Sequence, residues 1–164
     1  MERMTEGDAY SGRVLIVEDH LPTSRLITTA FQEVASGVTC VEVNTAEQAV
    51  EYLTRTGTPS DKPEIVLLDL DLPNDGGYSV LQTLKNDPEL RRKPVVVLSA
   101  DSRQETIDRA YELNASTFLS KPDEWAEFLK MADTIARYWF DIADCPTTTS
   151  FAPTDRECPT VEVE

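Results

Sequence analysis

The chain has 164 residues, enough for one domain with tails and, as an expectation, too few for a second output domain. Thirty acidic against fifteen basic residues give a net charge of −15, a surface that repels nucleic acid and argues against direct DNA binding. No apolar run approaches the roughly 18 residues of a membrane helix, and polar residues 1–12 carry no signal-peptide pattern, so no membrane insertion and a cytoplasmic location are expected.

The acidity itself fits solvation in a high-salt cytoplasm, where screening makes like-charge repulsion cheap. A dedicated basic partner surface is the other explanation. Three cysteines without a C-x-x-C pair fit reduced thiols: Cys40 reads as a strand core residue, and Cys145 and Cys158 fall in the tail, where pairing is not expected.

Residues 1–12 read as a loose leader. Arg13–Val17 is an apolar first strand, and Pro22 suits the first turn of a helix carrying Leu26, Ile27, Ala30, Phe31 and Val34 at helical spacing. Thr39–Val43 alternates as a short second strand. Thr45, with Gln48 three residues on, caps a helix running to Leu53. After a turn-rich stretch at 56–63, Glu64–Leu70 is a continuous apolar run, as expected of a central strand buried on both faces.

Gly76-Gly77 reads as a turn, lacking the lysine and spacing of a phosphate-binding loop. A helix follows over Tyr78–Lys85, and Pro94 opens a strand at Val95–Leu98. Asp101 or Ser102 caps a helix to Leu113 with Ile107, Ala110 and Tyr111 inward, and Asn114 suits a left-handed residue after it. Thr117–Leu119 is the last strand, and Asp123 starts a long final helix to about Asp141. Residues 144–164, rich in Thr, Ser, Pro and acid and without periodicity, are expected to be disordered.

Strands alternating with helices predict a parallel α/β sheet, whose ligands sit outside the carboxyl ends of the strands. Four strand ends carry chemistry: Glu18-Asp19, Asp69, Ser99 and Lys121. Carboxylates at that density call for a hard divalent cation, and the ammonium and hydroxyl beside them for phosphate oxygens. Singly, each has a plainer role: a loop acid, a turn serine, a solvated lysine. His20, the only histidine, reads as an exposed residue opening a loop.

Val14–Asp19, Val66–Pro73 with Gly76-Gly77, Val97–Ala100 and Phe118–Pro122, in this order and spacing, resemble the receiver domain of two-component response regulators. The match runs from Arg13 to about Asp141 and bounds a receiver domain at 13–143. It implies a flavodoxin-like, doubly wound five-stranded sheet of order 2-1-3-4-5 with five helices. It also implies Asp69 as phosphoacceptor and Mg²⁺ held by Asp19, Asp69 and the backbone carbonyl of Asp71, with Glu18 acting through water. Lys121 and Ser99 would contact the phosphoryl group, Ser99 and Phe118 would form the switch, and the Lys121–Pro122 bond would be cis. Asp71 and Asp101 border the path of hydrolytic water, where each can orient it or repel the phosphoryl dianion.

A narrower resemblance, carried by Leu81–Pro94, Arg109–Ala115 and Arg137–Phe140, is to the phytochrome-associated single-domain response regulators. It implies a sensor histidine kinase, phytochrome-like or another, as donor, an unknown downstream protein and a tendency to dimerise. Large side chains on the final helix exceed one buried stripe, making Trp125, Tyr138, Trp139 and Phe140 the candidates for a homodimer patch; the alternative is a C-terminus wrapped over its own core. Two other functions stand beside this one. The first is a receiver-like binding scaffold that is not phosphorylated. The second is a haloacid-dehalogenase-like phosphatase, suggested by Asp69-Leu-Asp71 but with that motif on the third strand instead of the first. Turnover of a small molecule, and so enzyme activity, is not expected.

Overall fold

A computed structural model describes residues 10–55 and 61–145. Nearly all of the predicted leader and tail, and Cys158, lie outside the described residues. Ten regular elements alternate along the chain: β1 (Gly12–Val17), α1 (Leu21–Val34), β2 (Val38–Val43), α2 (Ala46–Thr54), β3 (Ile65–Asp69), α3 (Gly76–Asn86), β4 (Val95–Ser99), α4 (Gln104–Glu112), β5 (Thr117–Ser120) and α5 (Trp125–Arg137). All strand pairs are parallel, in the order β2-β1-β3-β4-β5. This is the expected flavodoxin-like, doubly wound sheet with five helices.

Period-two alternation divides each central strand between two cores. Val14 and Ile16 of β1, Leu67 of β3 and Val96 and Leu98 of β4 meet Ile27 and Phe31 of α1 and Phe128 and Ile135 of α5. Leu15 and Val17, Val66 and Leu68, and Val95 and Val97 face the other way, onto Ala49 and Leu53 of α2, Val80, Leu81 and Leu84 of α3 and Ala110 of α4. A strand covered on both sides has no polar face to display, so β3 and β4 are apolar until their last residues, Asp69 and Ser99. No helix among the described residues is long and apolar enough to cross a membrane.

Local signals set most helix ends. The Thr45 side chain accepts from Gln48 N at 3.1 Å, and Gln48 Oε1 accepts from Asn44 N at 3.0 Å. Glu124 and Glu127 close a capping box on α5, so that helix starts at Trp125, two residues after the expected Asp123. Asn114 has the expected positive φ, 73°.

Several expectations are corrected. Tyr111, expected inward, is 49 % exposed, and Leu26, one of the apolar residues at helical spacing on α1, is 41 % exposed. Each adjoins a buried residue, Ile27 or Ala110, and one residue is a 100° rotation about the helix. Gly76-Gly77 is the buried first turn of α3 rather than a turn before it; the positive φ angles fall on Asn74 and Asp75, at 57° and 56°. Gly77 is needed for close approach: a Cβ there would stand 2.6 Å from both Asp69 O and Leu70 Cα. Gly77→Ala should therefore destabilise the protein by roughly 1–3 kcal/mol or more, since the obstacle is backbone. An unchanged urea midpoint would refute that packing.

The final helix passes into a π-turn over Tyr138–Ile142. The Phe140 ring lies where a Cβ of Gly12 would be, and Trp139 and Phe140 pack against the α1/α5 core. The wrapped C-terminus thus describes these two rings, while Trp125 and Tyr138 stay 37 % and 50 % exposed. Cys40 and Cys145 are free thiols, and burial pushes the Cys40 thiol up to about 12.

Candidate phosphoryl-transfer site

Strand register brings the four strand ends together. Asp69 sits opposite Leu98, Ser99 opposite Ser120, and Val17 opposite Leu68, so Glu18, Asp69, Ser99 and Lys121 emerge at one edge. Lys121 N donates to Ser99 O at 3.0 Å, carrying the ladder one residue past β5. Glu18, Asp69 and Ser99 are at most 2 % exposed, while Asp19 is exposed at the mouth.

Lys121 Nζ is the cation of the group, 3.0 Å from Asp69 Oδ1, 3.3 Å from Glu18 Oε2 and 3.8 Å from Asp71 Oδ2. Burial lowers its pKa, but the hydrogen bond and charge of Asp69, followed by Glu18, outweigh that and raise it. Glu18 is pushed up to about 7, first by burial and then by the charge of Asp69, against the pull of Lys121 and of the His20 amide. One ammonium does not neutralise three carboxylates.

The backbone of the Lys121–Pro122 bond corrects an expectation. No peptide bond among the described residues is cis, so this one is trans. The two forms before a proline differ by only about 0.5–1 kcal/mol, so the residue pair alone does not select one.

Oxygen atoms of Glu18, Asp19 and Asp69 lie within 4.8 Å of one another. Two of the buried ones, Asp69 Oδ2 and Glu18 Oε2, have no hydrogen-bond partner, although the latter is near Lys121. A buried carboxylate oxygen without a donor is costly. Hard oxygen donors that are clustered, anionic and unpaired fit a divalent cation of the Mg²⁺ kind.

Some contacts were not foreseen. The Asp71 side chain accepts from Ser99 Oγ at 2.9 Å and from Ala100 N at 2.8 Å, while its own amide donates to Asp69 Oδ1 at 2.8 Å. Asp71 lies in the turn after β3, where strand alternation no longer fixes which way a side chain faces. Asp101 does not cap α4 through its side chain; it anchors the loop, taking two bonds from the Arg103 guanidinium at 2.9 and 2.8 Å and one from Thr106 Oγ1 at 2.8 Å. Those donors hold its carboxyl well below the usual range. His20 is the cap residue of α1, its Nδ1 3.4 Å from the Thr23 amide, and its own amide donates to Glu18 Oε1 at 3.2 Å. Phe118 is half-buried against the α2/α3/α4 core, with its amide donating to the Tyr111 hydroxyl at 3.2 Å.

Residues 14–133 match the response regulator receiver domain model. The chain belongs to the response regulator receiver family. This receiver is 30 % identical over 135 residues to the response regulator Rcp1 of Synechocystis sp., a match covering 81 % of the chain and 92 % of Rcp1. Its fold is similar to the crystal structure of the phosphorylated cyanobacterial phytochrome response regulator RcpA (TM-score 0.75, 30 % identity, 83 % of this chain and 99 % of that one). The Mn²⁺-bound crystal form of Rcp1 is similar too (TM-score 0.72, 29 % identity, 82 % and 99 %). RcpA is thus a phytochrome response regulator, of the subgroup that residues 81–94, 109–115 and 137–140 resemble.

Proposed function

We propose that this receiver accepts a phosphoryl group on Asp69 from the phosphohistidine of a sensor kinase and signals through protein contact. The observation that carries this reading is Asp69 itself: buried, with Oδ1 held by Lys121 and the Asp71 amide and Oδ2 unpartnered. One oxygen is fixed and the other is left for chemistry. In the transfer the Asp69 oxygen forms a bond to phosphorus as the phosphorus–nitrogen bond breaks, and the imidazole leaves with the electron pair and takes up a proton. Lys121 and the Ser99 hydroxyl face the oxygens of the transferred group. Asp19, Asp69 and the backbone carbonyl of Asp71 are the proposed ligands of Mg²⁺, with Glu18 acting through water. The ion supplies charge neutralisation between acceptor and phosphate.

The similarity to Rcp1 and RcpA supports a phytochrome-like or other sensory histidine kinase as donor. The acidic surface fits a cytoplasmic protein in high salt that contacts proteins rather than nucleic acid. The exposed Trp125 and Tyr138 support self-association as one output, with the half-buried Trp139 and Phe140 shaping that edge. Phe118 and Ser99 form the proposed switch.

Intact mass after acetyl phosphate treatment tests the proposal. The expected gain is one phosphoryl group, in high salt, dependent on Mg²⁺ and lost in Asp69→Asn. No gain in the wild type would favour the binding scaffold, and a gain retained by Asp69→Asn would place the acceptor elsewhere.

A further inference from the structure

We infer that the Asp71 carboxylate is an internal anion seated where the phosphoryl group must arrive, and that it has to swing out before Asp69 can hold phosphate. This rests on the receiver reading above and adds a regulation to the same site. Two donors and a cation from two different strand ends converge on one side chain: Ser99 Oγ donates at 2.9 Å, Ala100 N donates at 2.8 Å, and Lys121 Nζ pairs with it at 3.8 Å. A hydroxyl, an amide and an ammonium beside a nucleophilic carboxylate are what a phosphoryl dianion needs. Here they are already serving an anion.

Sharing is excluded on two grounds. A hydroxyl has one proton to donate, and that of Ser99 is committed to Asp71 while its oxygen accepts from Asp101 N at 3.0 Å. The Ala100 amide likewise has one hydrogen. Two anions competing for the same donors also repel each other. Asp71 has room to leave, since its side chain is 36 % exposed.

The consequence concerns which part moves. Asp71, Ser99 and Asp101, with Arg103 and Thr106 clamped on Asp101, form one hydrogen-bonded chain that ties the β4–α4 loop to the turn after β3. Phosphorylation then exchanges one anion for another on Ser99 and Ala100. What is newly presented to a partner is then the released Asp71 carboxylate, together with the change at the Ser99 and Phe118 switch.

Beryllofluoride, a tetrahedral stand-in for the phosphoryl group, tests this at saturating Mg²⁺ in wild type, Asp71→Asn and Asp71→Ala. Both variants keep the backbone at position 71. Asp71→Asn should bind the probe about tenfold more tightly, as expected when a like charge leaves a shared donor set. In the ligand-free state, Asp71→Ala should lose hydrogen-exchange protection at the Ala100 amide, which the wild type keeps. Wild-type binding with no gain in Asp71→Asn, or unchanged Ala100 protection in Asp71→Ala, overturns the inference alone. Failure of all three proteins to bind beryllofluoride overturns the receiver reading and this inference with it.

Discussion

Lys121→Ala should bind Mg²⁺ more tightly than the wild type while accepting phosphate on the order of 10²–10³ times more slowly. The two effects come from one atom. Nζ lies within 4 Å of Glu18, Asp69 and Asp71, so it is the positive charge that a divalent cation would meet among these carboxylates. Removing a positive charge from among the carboxylates that would hold the ion relieves repulsion. Even a pair of unit charges at ~4 Å is worth about 1 kcal/mol in water and about 4 kcal/mol at a protein-like dielectric. A tenfold gain in Mg²⁺ affinity is therefore the expected scale. The same ammonium is needed when the phosphoryl group arrives, because it stabilises charge on the transferring oxygens without having to reorganise. Lys121→Arg should not restore the rate, since a planar fork does not replace a compact point charge in a pocket fitted to one. Calorimetry for the metal and rapid-quench labelling for the transfer separate the two. Weaker Mg²⁺ binding in Lys121→Ala would mean that the lysine organises the carboxylates rather than competing with the ion.

What could be read from the chain and what could not divides along physical lines. Strand ends were legible because a strand buried on both faces must be apolar until it leaves the sheet. The first polar residues after Ile16-Val17, Leu67-Leu68 and Val97-Leu98 therefore mark the crevice. Thr45 and Asn114 were legible because a cap and a left-handed residue are local demands. The Asp71–Ser99 bond was not, since it depends on how β3 and β4 align and on which way a half-exposed side chain turns. Gly77 looked like a turn glycine because the sequence does not reveal that α3 starts against the backbone of Asp69 and Leu70. The sequence does not mark His20 as a cap because imidazole is an uncommon one, and its amide bond to Glu18 follows from that position. The surplus of aromatics on α5 was visible, but which of them fold back was not. That was decided by the π-turn, which lays Phe140 over Gly12 and leaves Tyr138 outside.

Phe31→Ala should produce the largest loss of stability of any single side-chain truncation in the α1/α5 core, and Mg²⁺ should recover part of it. Phe31 is fully buried and heads the largest buried side chains, in one cluster with Val14 and Ile16 of β1 and Phe128 and Ile135 of α5. Its removal leaves a cavity between two helices and the strand that ends at Glu18-Asp19, at a cost of roughly 3–5 kcal/mol. Against a total of about 5–15 kcal/mol, that is roughly a fifth or more of the stability of an ordinary domain. With a urea slope of about 2 kcal/mol per molar, the midpoint should fall by roughly 2 M. An ion that binds only the folded carboxylate cluster adds about 2.7 kcal/mol at a hundred times its dissociation constant. The midpoint should therefore rise again in Mg²⁺, and by the same free energy in the wild type. Asp69→Asn, with one buried charge fewer for the ion, should gain less. A midpoint unmoved by Phe31→Ala would contradict the packing of α1 on β1. A midpoint lowered by Phe31→Ala but indifferent to Mg²⁺ in all three proteins would leave the fold intact and remove the cation from the site, because the cluster of Glu18, Asp19 and Asp69 exists only when β1 and β3 are paired.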